Sequence, residues 1–415
     1  MISEMQLKEH EKWDKDINES YNHLSLVSWC KPTDNASWGY YASYKIGAEW
    51  VDDKECLVVT TKRQMENIDF LNMFMTCFNS GLALEEFSKI YSINLGQNVI
   101  EAPSLNSIQS LLIIAHFLQV VNRIRTLKKG YVHYCENLKK VKGRVNILKN
   151  ERKNVAAKRF DRIYCEYDEY SINIPENRLL KKALMVTHRL TMKMGKYSKG
   201  YSRMKLALAK NLARFEYVSQ DVELREVNNI KGHTLFTEYN EAIRLAKIIL
   251  HHYDHSINTN ADSSNTVIPF VLDMSLLYEH YVYGLLHDAY ADNIVYQYEG
   301  VTGKPDFLYF SNGFKAILDT KYIPKYECLA LDNYVVRQLS GYSRDIKILK
   351  RLGYADITEE SPVPNVPCVI IYPTEGHDVN NPFMKAMLKE LCLEHRIKRL
   401  SQFYKIEIPL PVVCK

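Results

Sequence analysis

The chain's nine cysteines, at positions 30, 56, 77, 135, 165, 328, 368, 392 and 414, include no C-x-x-C pair. That spacing, with the odd count, disfavours both a zinc site and a disulfide framework and leaves reduced thiols as the plain reading. Also missing is an apolar run long enough to span a bilayer. The best, LLIIAHFLQVV over 111–121, falls well short of the ~20 residues a spanning helix needs. The opening MISEMQLKEHEK lacks the apolar core of a signal peptide. A soluble, cytoplasmic protein with no membrane partner is therefore expected. There is no P-loop: GVTGKP over 300–305 holds a Gly-Lys pair, but Tyr298 stands where the first glycine belongs and Pro305 where a Ser or Thr belongs. The chain is thus expected to bind no nucleotide itself. No internal repeat and no low-complexity tract is visible.

At 415 residues the chain has room for two or three domains, each able to bury a core. Residues 1–105 mix short aromatic and β-branched runs, WGYYASYKIGAEWV and CLVVTT, with a helical pattern in MENIDFLNMFMTCFNSGL. They read as an α+β domain and a candidate for partner interaction. Residues 106–260 read as a mainly helical region, from a helix over Ser107 to Leu127 to the pattern TEYNEAIRLAKIILHHY over 237–253, with a basic stretch between. DHSINTNADSSN, 254–265, is polar and without period, the best linker in the chain. A third domain, 261–415, follows it.

KPDFLYFSNGFKAILDTKY, 304–322, predicts a hairpin: two aromatic and aliphatic runs joined by Ser311-Asn312-Gly313, where Asn and Gly tolerate positive φ. Alternation puts Phe314, Ala316 and Leu318 on one face of the second strand, and Lys315, Ile317, Asp319 and Lys321 on the other. Asp-x-Lys by itself means little, since Asp52 to Lys54 and Asp345 to Lys347 repeat it and surface ion pairs contribute little. Pro305-Asp306 gives this copy weight, because it opens the first strand beside the end of the second. Two carboxylates and a lysine would converge, a set that suits Mg²⁺ with its waters and a substrate phosphate. Upstream, DMSLLYEHYVYGLLHDAY, 273–290, predicts an amphipathic helix with Ser275 as N-cap and Glu279 inside it. Downstream, 332–353 predicts a helix with Gln338 and Tyr342 on one face, and CVIIYP, 368–373, a central strand.

In this order the elements resemble the PD-(D/E)xK nuclease core. Asp306 stands in the "PD" position, Asp319-Thr320-Lys321 as the "(D/E)xK", Glu279 as the helix acid, and Gln338 to Tyr342 as the Q-x-x-x-Y element of the RecB-like branch. More narrowly, MSLLYEHYVYGLL, ILDTKY, VKGRVNILKNERKN (141–154) and ENRLLKKAL (176–184) resemble the McrC subunit of McrBC modification-dependent restriction systems. The resemblance covers roughly 140–375 and implies an α/β (overall α+β) multidomain protein whose C-terminal nuclease core has a mixed central sheet flanked by helices. It further implies a DNA endonuclease subunit using Mg²⁺, with Mn²⁺ as substitute. Glu279, Asp306 and Asp319 would hold the metal, Lys321 would act on the water, and Gln338 and Tyr342 would position the site or the double-stranded, modified DNA. A separate McrB-like AAA+ GTPase hexamer would supply GTP hydrolysis and recognition of modified bases. The alternative is a non-cutting scaffold that activates the partner NTPase through a structural nuclease-like domain.

Residues 121–165 hold fourteen Lys or Arg against three Asp or Glu, while the whole chain carries only +5. Such a patch follows phosphates by charge, and it fits a solvated helix face equally well. The resemblance implies that Lys142 and Arg144 lie in the region engaging the GTPase, where an arginine beside a transferring phosphoryl group would stabilise its charge. His251, His252 and His255 have no carboxylate or cysteine at ligand spacing and read as ordinary solvent or core histidines.

Overall fold

A computed structural model describes residues 3–16, 18–31, 37–62, 65–78, 84–193, 198–222, 237–254, 265–311, 313–322, 333–375 and 380–413. Asn312 and nearly all of the expected linker lie outside them. Two compact units emerge where the sequence suggests three regions: the first takes 1–112, 196–203 and 262–415, the second 113–195 and 204–261.

In the first unit the N-terminal segment forms a five-stranded sheet in the order Ser3–Lys8, Glu55–Thr60, Lys45–Trp50, Phe270–Asp273, Tyr91–Ile93. The outer pair is parallel and the rest antiparallel. Its fourth strand comes from far downstream, and Gly47, at φ 147°, lets it approach: a Cβ there would lie 2.0 Å from the Phe270 carbonyl oxygen. That strand runs straight into the helix Met274–Tyr290. The N-cap is Asp273, whose carboxylate accepts from the amides of Ser275 and Leu276 at 3.0 and 3.1 Å. Ser275, the expected cap, sits inside the first turn and donates its hydroxyl to the same oxygen. Asp wins because its carboxylate also complements the positive helix end.

The second sheet of this unit orders Ile294–Tyr296, Phe307–Ser311, Phe314–Thr320, Cys368–Glu375 and Phe403–Leu410. The first three are antiparallel and the last two join in parallel, the mixed central sheet expected. The hairpin register pairs Ser311 with Phe314. The predicted 332–353 helix is two, Asn333–Tyr342 and Ile346–Arg351, because Asp345 breaks the run as the N-cap of the second. Both pack on the sheet through Val335, Leu339, Ile348 and Leu349, against Ile317, Cys368 and Ile370.

The helix Pro103–Arg123 starts earlier than the apolar run suggests, with Pro103 in its first turn. Asn106 and Gln109 extend it by donating to the carbonyls of Thr266 and Ile268, each at 2.6 Å. Among the described residues it is the one helix long and apolar enough to cross a membrane, and most of that apolar stretch is buried in the protein.

In the second unit the basic stretch is only partly helical, with turns at Ile147–Asn150 and Glu151–Val155 that carry Lys149, Arg152 and Lys153, and it is threaded through a β-ribbon. Gly130–Leu138 pairs along its whole length with Ile163–Ser171, and Arg144–Val145 adds a short third strand. Tyr134 stacks on Tyr167 across this ribbon, with ring centroids 5.4 Å apart. Helices Pro175–Lys193 and Thr237–Ile249 belong to the same unit. His116 is fully buried there, and burial, opposed by Glu241 and aided by Arg244 and Arg123, lowers its pKa from 6.5 to about 4. The folded protein thus holds the ring neutral down to about pH 4, while an unfolded chain protonates near 6.5. Stability is therefore complete above pH 6.5 and should fall by about 3 kcal/mol as pH drops toward 4. Urea melts at pH 7.5, 5.5 and 4.5 should show this loss, and His116→Asn should flatten it; parallel curves for the two proteins would contradict it.

Candidate active site

The hairpin register places the two aspartates. Phe307 pairs with Leu318, so the next residues outward, Asp306 and Asp319, face each other across the antiparallel pair, where Cβ atoms stand about 5 Å apart. Asp319 is buried in the sheet at 2% exposure, and Asp306 is half-buried. Each carboxylate is held by one oxygen. Asp306 Oδ2 accepts from the Thr320 amide at 2.6 Å and the Thr320 hydroxyl at 2.5 Å. Asp319 Oδ2 is 2.6 Å from Lys321 Nζ. Among the described residues the Oδ1 atoms of both take part in none of these bonds.

Lys321 lies just past the last ladder pair, its amide bonded to the Ile371 carbonyl at 2.8 Å. Its ammonium also reaches Gln338 Oε1 at 3.3 Å. Gln338 Nε2 donates to the Tyr342 hydroxyl at 2.9 Å, which donates in turn to the Lys304 carbonyl at 3.2 Å. The Q-x-x-x-Y element therefore bridges from the lysine to the segment that delivers Asp306. Glu279, on the helix and 8% exposed, accepts from Gln297 Nε2 at 2.7 Å. The Gln297 amide bonds the Asp306 carbonyl at 2.9 Å, and Gln297 takes a left-handed φ of 42°, uncommon for a non-glycine residue.

The three acids act against one another's ionisation. Burial, then the charges of Asp319 and Glu279, push Asp306 well above the usual carboxylate range, against the Thr320 bonds. Burial raises Glu279, with Asp319 adding to it and Gln297, Tyr296 and Lys321 opposing. Burial likewise raises Asp319, with Lys321 opposing. For Lys321 burial works downward, but the Asp319 charge and bond outweigh it, with Asp306 assisting, so the amine lies above its ordinary value and is an ammonium at neutral pH.

Glu279, Asp306, Asp319, Lys321, Gln338 and Tyr342 thus form one connected site. Lys142 and Arg144 belong to the ribbon of the other unit. Lys142 Nζ is engaged with Glu169 at 3.2 Å and lies over the Tyr167 ring at 4.0 Å. Arg144 is exposed, and its side chain has no hydrogen bond or ion pair among the described residues. Sequence reasoning missed Thr320, Gln297 and Asp345. Asp345 Oδ2 gathers the amides of Val301 and Thr302 at 2.5 and 2.7 Å, fastening the loop that leads to Pro305-Asp306. Asp345 left no signal either, since it lies inside the stretch 332–353 that reads as one helix.

Among the described residues no three His, Cys, Asp or Glu side chains stand as a group that could hold a metal ion. The donor set that fits a hard cation is the facing Asp306–Asp319 pair. Mg²⁺ takes one or two carboxylates and keeps several waters, so a pair suffices.

No curated protein matches this chain. Two solved structures are similar at low identity. One is the refined half-complex from a tetradecameric assembly of Thermococcus gammatolerans McrB AAA+ hexamers with bound McrC. The likeness has a TM-score of 0.41 and 14% identity, covering 99% of this chain and 95% of that one. The other is the cryo-EM structure of the Thermococcus gammatolerans McrBC complex, at TM-score 0.31 and 13% identity, covering 68% and 87%. The family model for the McrBC 5-methylcytosine restriction system component matches residues 84–343. That stretch is more than half of the chain and takes in Glu279, Asp306, Asp319, Lys321, Gln338 and Tyr342, so the chain belongs to this McrBC restriction family.

Proposed function

We propose that the chain is the McrC-like, Mg²⁺-dependent endonuclease subunit of an McrBC-type complex, cutting DNA when assembled with a McrB-like AAA+ GTPase hexamer. The observation that carries this is the facing pair Asp306 and Asp319 with the Lys321 ammonium 2.6 Å from Asp319 Oδ2. Asp306 and Asp319 would hold the metal, Mn²⁺ serving as substitute, with Glu279 beside them. The metal, when bound, supplies an activated water and steadies the leaving oxygen. The chain's own groups do the rest. Lys321, held charged by Asp319 and aimed by Gln338, donates to the attacking water or a phosphate oxygen and fixes the line of attack. Thr320 keeps Asp306 turned toward Asp319, and Tyr342 ties the helix to the Asp306 segment. Recognition of the modified base and GTP hydrolysis are assigned to the partner.

The ribbon is the proposed contact with that partner. Arg144 is the better placed of the two basic residues, because Lys142 already has Glu169. The isolated chain should hydrolyse neither GTP nor ATP and cut poorly. Adding the AAA+ partner and GTP should switch on cleavage of a methylated plasmid at least tenfold over an unmethylated one. Arg144→Ala should reduce partner GTPase stimulation several-fold, and Lys142→Ala less. Efficient, modification-selective cutting by the chain alone would place recognition in this chain instead. Normal GTPase stimulation without any cutting would favour the scaffold reading.

A further inference from the structure

The strand that carries Asp319 leads, two residues past its last ladder pair, to Tyr322, a side chain the mechanism does not use. Tyr322 is 3% exposed. Two charged residues from the N-terminal sheet close on it. Glu9 follows the strand Ser3–Lys8, and its Oε2 accepts from the Tyr322 hydroxyl at 3.5 Å and from the Lys62 amide at 3.1 Å. Lys62 follows Glu55–Thr60, and its Nζ stands 3.9 Å from the centroid of the Tyr322 ring. Tyr278, fully buried, packs beside the ring with centroids 6.0 Å apart. Tyr278 directly precedes Glu279. Tyr322 therefore follows the strand that carries Asp319 and packs against the helix that carries Glu279.

The cluster is a poor way to gain stability. Glu9 and Lys62 are both buried, and Glu9 Oε1 and Lys62 Nζ make no hydrogen bond among the described residues. Burial raises Glu9 against the pull of Lys62, and it lowers Lys62 to about 8. A pair of apolar side chains in the same volume would be expected to match or exceed its stability. What the pair does supply is direction. The Asp319 strand has its last ladder partner at Thr320–Ile371 and one further bond at Lys321, and strand ends open easily when nothing beyond them is fixed.

We propose that Glu9, Lys62 and Tyr322 form a pin, supplied by the N-terminal sheet, that fixes the end of the Asp319 strand and so positions Lys321 for reaction. The functional half of this rests on the nuclease reading above. None of the three touches reacting atoms, so they are positioning residues.

The test uses the full chain, alone and with its partner, and the double variant Glu9→Gln/Lys62→Met. Removing both charges together orphans neither, so the variant should keep a wild-type melting temperature. Hydrogen exchange of peptides spanning 317–322 should be at least tenfold faster in it, while peptides from Cys368–Glu375 stay unchanged. Single-turnover cleavage at saturating Mg²⁺ should fall about tenfold with an unaltered half-saturating Mg²⁺ concentration. Lys62→Arg, which keeps a cation over the ring, should retain both properties. Unchanged exchange in the folded double variant overturns the pin. Faster exchange without a slower rate overturns its role in reaction. If Asp319→Asn cuts like wild type, the nuclease reading is what fails, and the exchange comparison still decides the pin. Should the double variant unfold, Tyr322→Phe, which loses only the hydroxyl bond to Glu9, carries the same exchange and rate comparison.

Discussion

Asp319→Asn should abolish Mg²⁺-supported plasmid cutting by the reconstituted complex, with a loss of at least about a hundredfold, while GTPase stimulation and complex formation stay at wild-type levels. The substitution keeps the side chain's shape, so the sheet around it is not emptied. It removes one of the two facing carboxylates and the charge that holds Lys321. Because burial already works against an ionised Asp319, the neutral variant should melt close to wild type. The comparison requires cleavage, GTP turnover and melting on one preparation. Cutting within a few-fold of wild type would sink the metal-pair assignment whatever the melting temperature.

A second large effect is expected from a residue with no chemistry. Gly284 lies on the Glu279 helix where the helix Phe70–Cys77 crosses it, and a Cβ there would stand 2.2 Å from the Thr76 carbonyl oxygen and 2.8 Å from its carbon. The obstacle is backbone, which has no rotamer to swing away. Gly284→Ala should force the two helices apart and cost about 3 kcal/mol. It should also lower cleavage, because Glu279 lies on the same helix only five positions upstream. Urea denaturation followed by circular dichroism would read the first effect as a lower midpoint at constant slope. A variant within about 0.5 kcal/mol of wild type would mean the crossing has more slack than the geometry implies.

What the sequence revealed about this molecule depended on distance along the chain. The hairpin was legible because Asn-Gly and alternating side chains specify it within nineteen residues, 304–322. Asp306 and Asp319 could be placed opposite each other from that register alone. The helices carrying Glu279 and Gln338 showed their period, though the cap at Asp273 and the break at Asp345 did not stand out, since Asp, Ser and Asn compete for such positions on similar terms. Thr320 and Gln297 left no trace, because a hydroxyl or amide that holds a carboxylate has no spacing rule. The ribbon was hidden by distance: its long strands, Gly130–Leu138 and Ile163–Ser171, hold none of the lysines and arginines that drew attention to the stretch, and the tyrosines that stack across it are far apart in sequence. Phe270–Asp273 was the least legible element of all. Its partners on either side are Lys45–Trp50 and Tyr91–Ile93, and nothing local announces a strand whose place is set by a distant sheet.

That strand also dictates an order of events at the ribosome. Ala48 and Ile93 flank a slot that only Phe270 fills, and all of the second unit is translated before it arrives. The nascent N-terminal strands must therefore wait with open edges while the intervening unit emerges, a state prone to mispairing. Slow decoding or chaperone capture in that interval would protect the product. Stalled chains ending short of residue 270 should be degraded or aggregate even though every residue of the second unit has been made.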